Sequence, residues 1–170
     1  MLEIAERVDP AFREDVLAGL SAPIPAVPAR WLYDRRGSEL FDDITRLPSY
    51  YPTRTETALL KDTLPQIATR IPRGTAVVEF GAGSATKTPL LLEAIRPAVY
   101  APVDISGDYL RDSAAEVAAS FPGVAVEPII ADFARPFDLP PGIASLPKLG
   151  FFPGSTIGNF VPRTGTDLLR

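Results

Sequence analysis

From Thr75 to Phe80 the chain reads Thr-Ala-Val-Val-Glu-Phe, apolar and β-branched with one charge, and then breaks into Gly81-Ala82-Gly83. A short apolar run bounded by glycine predicts a buried strand. Leu90, Leu91, Leu92, Ala94 and Ile95 follow and predict a helix. The alternation then repeats. Val99 to Val103 predicts a second strand ending at Asp104, and Ser106-Gly107-Asp108 opens a helix with Leu110, Ala114, Val117 and Ala118 on one face. Val124 to Ala131 predicts a third strand ending in Asp132-Phe133. After a proline-rich loop, Leu149 to Phe152 predicts a fourth, which breaks into Pro153-Gly154-Ser155-Thr156-Ile157-Gly158-Asn159-Phe160. Thr164 to Arg170 reads as the first turns of another helix. Strands alternating with helices imply an α/β fold with a parallel sheet and right-handed crossovers.

The residues before this unit follow a helical and aromatic pattern. Asp9-Pro10 predicts an N-cap with proline in the first turn of a helix carrying Phe12, Val16, Leu17 and Leu20. Three prolines between Ser21 and Arg30 predict an extended connector. Ser38 is placed to cap a short helix whose Leu40, Phe41, Ile44 and Leu47 share a face. Leu47-Pro48-Ser49-Tyr50-Tyr51-Pro52 predicts a rigid aromatic loop, and a helix starts at Thr53 or Thr55 and runs to Ile71, kinked or divided at Pro65. The expected division is a helical leader over 1–72 and a strand-helix domain over 73–170.

Composition narrows the chemistry. With 170 residues the chain holds one full core, and 46% hydrophobic content with a net charge of −4 belongs to an ordinary folded protein. No Lys/Arg run marks a nucleic-acid partner, and no run reaches the roughly 20 apolar residues that span a bilayer. Met1 to Arg7 lacks the apolar core of a secretory signal, so a cytoplasmic location is expected. There is no cysteine and no histidine, which removes thiolate chemistry, the commonest base and the commonest metal ligand; no metal site is expected.

In parallel sheets ligands collect beyond the carboxyl ends of the strands. Gly81, Asp104, Asp132 and the Gly154–Asn159 run all fall at predicted strand ends. Three ligands compete for the glycine turn. A dinucleotide wants Gly-x-Gly-x-x-Gly, but Thr86 stands at the third glycine; Asp104, about 20 residues on, fits the ribose acid. A phosphate loop wants Gly-x-x-x-x-Gly-Lys-Thr; Gly81, Lys87 and Thr88 fit and Thr86 again does not. Glu79 would repel phosphate in both. S-adenosylmethionine (SAM) carries no pyrophosphate and wants an acid before Gly-x-Gly, an acid ending strand two for the ribose and an acid-aromatic pair ending strand three for adenine. Glu79, Gly81 and Gly83, then Asp104, then Asp132-Phe133 supply these in order, and together they favour SAM. Each residue also has a plainer reading: the glycines as a tight turn, Asp104 as a helix cap, Phe133 as core, Lys87 as a solvated helix residue, Asn159 as a turn residue, and Tyr33, Phe41 and Tyr50 as packing between leader and sheet.

Four longer stretches go further. Trp31-Leu32-Tyr33-Asp34, Gly37-Ser38-Glu39-Leu40-Phe41-Asp42, Tyr50-Tyr51-Pro52-Thr53-Arg54-Thr55-Glu56 and Gly154-Ser155-Thr156-Ile157-Gly158-Asn159 resemble the histidine-specific methyltransferases, SAM-dependent enzymes of ergothioneine biosynthesis. The resemblance runs from about Trp31 onward. It implies a Rossmann-like class I methyltransferase sheet and trimethylation of the α-amino group of L-histidine to hercynine. It also implies SAM contacts at Gly81, Lys87, Asp104, Asp132 and Phe133, and histidine contacts at Tyr50 and Asn159 with Tyr33 and Phe41 lining the pocket. It further implies a monomer when full length. Members of that family are about twice this long, so the sheet is expected to stop after about four strands. The residues reading the imidazole are then expected beyond Arg170, and the chain alone is expected to be poorly stable and weakly active. The rival expectation is a SAM-fold module that needs a partner chain.

Overall fold

A computed structural model describes residues 9–83 and 85–169; Met1 to Val8, Ser84 of the glycine turn and Arg170 lie outside them. The central strand β1, Ala76–Phe80, is flanked by β2, Val99–Asp104, and β5, Lys148–Phe151; β3, Ala125–Val126, and β4, Ile129–Ile130, both pair with β2. Every pairing is parallel. The register sets Val77 opposite Tyr100 and Leu149, and Phe80 opposite Val103. Consecutive residues of β1 point to opposite faces, so the strand feeds two cores. Val77 packs with Tyr100, Leu91, Leu92 and Leu64 on one face, and Ala76 and Val78 pack with Ala101, Val103 and Ile143 on the other. Burial on both faces is why this strand is apolar without alternation. The connecting helices are α4, Thr88–Ile95, and α5, Gly107–Ser120, with a short α6, Pro141–Ala144, in the proline-rich loop and α7, Pro162–Leu168, after β5.

The third predicted strand forms as two ladders. Glu127 still donates to the Tyr100 carbonyl at 2.9 Å, but Pro102 of β2 has no N–H to return to the Glu127 carbonyl, and the ladder resumes in the same register at Ile129.

The leader comprises α1, Pro10–Leu20, a 3₁₀ turn over Ala29–Leu32, α2, Arg35–Arg46, and α3, Pro52–Ala68. Asp9 caps α1 as expected, accepting from the Ala11 amide at 2.8 Å. Three expectations need correction. Ala29 and Arg30 lie in the 3₁₀ turn and not in an extended connector. Asp34, not Ser38, caps α2: its carboxylate accepts from the Gly37 amide at 2.6 Å, and Ser38 is buried inside the helix. Pro65 does not divide α3, which starts at Pro52 and continues to Ala68. Leu64, beside the proline, is the buried residue that holds α3 against α4, so packing outweighs the single hydrogen bond that the ring removes.

Candidate functional site

The carboxyl ends of β1, β2, β4 and β5 open onto a cleft of about 330 Å³, roofed by the 3₁₀ turn and α2 of the leader. Gly81, Glu79, Gly83, Lys87, Asp104, Asp132, Phe133, Tyr33, Phe41 and Asn159 all border it. Tyr50 does not. It stands behind Phe41, edge-on at 6.2 Å, in a loop whose Leu47, Pro48 and Tyr50 carbonyls accept from Arg54.

The glycine turn is held by backbone geometry. Gly81 and Gly83 have φ of +69° and +47°, where a side chain is strained, and the ring of Phe133 lies 3.6 Å from where a Gly81 Cβ would be. Ala85 and Ser155 adopt φ of +51° and +59° without being glycine, and both belong to turns at the cleft's edge. Asp104 sits at the end of β2 with its carboxylate accepting from the Gly83 amide at 3.2 Å and the Ser106 amide at 2.9 Å. It does not cap α5, whose N-cap is Ser106; it anchors the turn before that helix, and the same carboxylate borders the cleft.

Glu79 lies beneath the turn, 2% exposed, accepting from the hydroxyls of Thr88 and Tyr100 at 2.7 Å each. Burial pushes its carboxyl up to about 7, against the pull of those two hydrogen bonds and of Lys87. Asp104 adds a smaller push in the same direction as burial. Burial likewise raises the Tyr100 phenol, so it is a donor throughout the ordinary range.

At the other end, Asp132 accepts from the Ala134 amide and from Arg30, both at 3.0 Å. Phe133 packs edge-on against Phe80, Phe152 and Phe160 at 6.1, 5.5 and 6.3 Å. It is both core and cleft wall. Tyr33 and Asn159, far apart in sequence, meet where the Asn159 amide donates to the Tyr33 hydroxyl at 3.3 Å.

Four residues at or beside the cleft escape sequence reasoning. Arg30 reaches Asp132 and also Asp15 of α1, whose carboxyl the Trp31 indole N–H, and then Arg30, hold below the usual carboxylate range. Tyr109 of α5 donates to Asp42 of α2 at 2.5 Å, and both border the cleft. Glu56 of α3 pairs with Lys87 and lies just behind the wall. No local pattern marks Arg30 or Tyr109, because their partners stand 102 and 67 positions away. Glu56 had a signal: it closes the Tyr-Tyr-Pro-Thr-Arg-Thr-Glu run. Replacing Arg30 by methionine is expected to lower the thermal midpoint and to speed proteolysis between α1 and α2, because Asp15 and Asp132 lose their shared partner. An unchanged digestion rate would refute that link.

The profile of a family described as "Histidine-specific methyltransferase, SAM-dependent" matches residues 12–170. The chain belongs to this family. It is 38% identical over 169 residues to a histidine N-alpha-methyltransferase of Mycolicibacterium smegmatis, covering 97% of this chain and 52% of that protein. A histidine N-alpha-methyltransferase of Mycobacterium tuberculosis is 38% identical over 157 residues, 89% of this chain and 48% of the other. A 4-dimethylallyltryptophan N-methyltransferase of Claviceps purpurea is 28% identical over 176 residues, 98% of this chain and 51% of that protein. The chain thus spans about half the length of these curated relatives. The family's cofactor is SAM, and the parallel sheet is the Rossmann-like sheet expected from the sequence. No helix among the described residues is long and apolar enough to cross a membrane.

Proposed function

We propose that this histidine-specific methyltransferase chain binds SAM across the strand ends and holds L-histidine beneath the leader for methylation of its α-amino group. The observation that carries the reading is the meeting of Tyr33 and Asn159 beside the glycine turn, Asp104 and Asp132, around one cleft. Two features suit the cofactor. The volume of about 330 Å³ falls within the usual range for small-ligand sites. Three carboxylates, Asp42, Asp104 and Asp132, border the cleft against two cations, Arg30 and Lys87, that are already paired with Asp15 and Glu56, which favours a ligand with an excess of positive charge.

In this reading Asp104 accepts from the ribose hydroxyls, Asp132 and Phe133 take the adenine, and Lys87 faces the methionine carboxylate. Asn159 orients the substrate's amino-acid end, and Tyr33 with Phe41 covers it. SAM supplies the activated methyl group; the protein's residues align the amine and exclude water. Neither His nor Cys is needed for such a displacement. The names of the mycobacterial relatives support histidine as substrate, and a cytoplasmic, monomeric full-length enzyme is part of the same proposal.

The test is incubation of the full-length protein with SAM and L-histidine, followed by mass spectrometry. Stepwise gain of three methyl groups on histidine is expected; no methylation by a protein that binds SAM would overturn the substrate assignment. Tyr50→Ala is expected to leave SAM affinity unchanged and to weaken histidine binding about tenfold by loosening Phe41. Calorimetric titration with each ligand checks it, and equal losses for both would remove the role.

A further inference from the structure

Three segments distant in sequence converge on one carboxylate. Glu56, on α3, accepts from the Gly154 amide through both oxygens, at 2.9 and 3.1 Å, and forms an ion pair with the Lys87 ammonium. The Lys87 side chain is 11% exposed, and a cation so withdrawn from water needs a partner. Gly154 has φ of +83°, and the Lys87 Nζ lies 3.8 Å from where its Cβ would be, so lysine, glycine and carboxylate occupy one tightly shared space. Lys87 and Gly154 border the cleft; Glu56 does not. Gly154 begins the turn that ends in the 3₁₀ helix Thr156–Asn159, whose last residue meets Tyr33.

We propose that Glu56 is a positioning residue that fixes Lys87 on the cofactor side of the cleft and the Gly154–Asn159 turn on the substrate side, and so couples the binding of the two ligands. This inference rests on the functional reading above. The carboxylate does two separable things. Its charge neutralises and aims Lys87, and its oxygens anchor the Gly154 amide. Glutamine keeps an oxygen for the amide and discards the charge; alanine discards both.

The test uses the full-length protein with Glu56→Gln, Glu56→Ala, Lys87→Met and the Glu56→Gln/Lys87→Met double variant. SAM affinity is measured by calorimetry, and kcat and KM for histidine at saturating SAM. Glu56→Gln is expected to weaken SAM binding about tenfold with the histidine KM nearly unchanged, and Glu56→Ala to weaken both by about tenfold or more. In the Lys87→Met background, Glu56→Gln is expected to add no further loss of SAM affinity, because the group it acts through is gone. A merely structural role would lower the thermal midpoint of both Glu56 variants without this split. SAM binding by Glu56→Gln equal to that of the unmutated protein, or fully additive losses in the double variant, would overturn the inference about Glu56 alone. Failure of the unmutated protein to bind SAM would take down the functional reading and this inference together.

Discussion

Asp104→Ala is expected to weaken SAM binding roughly a hundredfold, the largest loss from any single change in the cleft. The carboxylate ends β2 at the mouth of the cleft and is aimed by the amides of Gly83 and Ser106, so its orientation is set before a ligand arrives. A preoriented acceptor loses little freedom on binding, and in the proposed pose its removal leaves the ribose hydroxyls without a charged partner. Two backbone donors also lose their acceptor, so a fall in stability of about 1–3 kcal/mol should accompany the loss of affinity. Asp104→Asn separates the two effects. Gly83 and Ser106 bond separate carboxylate oxygens, so the one amide oxygen can serve only one of them; the variant should recover part of the stability and little of the affinity. Calorimetric titration with SAM and urea denaturation of the three proteins make the comparison; an Asp104→Ala protein that binds SAM within a factor of a few of the original would sink the ribose assignment.

Glu79→Gln should change how stability depends on pH. The carboxyl titrates near 4.5 when unfolded and about 7 when folded. Between those values the folded chain keeps a proton that the unfolded chain has released, so stability from this group is fully present below the lower value and is lost as pH rises through the upper one. The loss is on the order of 3 kcal/mol across the window. Glutamine cannot titrate, yet it offers an oxygen to Thr88 and Tyr100 in the same place. The variant should therefore gain stability relative to the original between pH 5 and 8, read as the difference in urea midpoints at each pH. Parallel pH profiles for the two proteins would show that Glu79 is charged in both states.

The order of elements was legible because each is announced locally. Asp9-Pro10 caps α1, the glycines close β1, and Ser106-Gly107 opens α5. Three expectations failed where a local cue competed with a neighbour. Ser38 has the right hydroxyl for a cap, but Asp34 carries a charged acceptor and reaches the first turn earlier. Pro65 has the chemistry to end a helix, but Leu64 is locked against α4. Pro102 of β2 interrupts the ladder of a strand whose own hydrophobic pattern runs straight through the break.

What the amino-acid order determined by itself is the sheet and the chemical inventory at its carboxyl edge. Strand ends project to one side of any parallel sheet, so Gly81, Asp104, Asp132 and Asn159 converge once the strands are recognised. The tertiary structure alone decided how the leader closes over that edge: Arg30 on Asp132, Glu56 on Lys87 and Gly154, Tyr33 on Asn159, and Phe41 rather than Tyr50 at the cleft. Periodicity reports which face of an element is buried. It carries no information about which distant side chain a polar group will find there, because that pairing is set by how whole elements pack and not by the residues beside it in the chain.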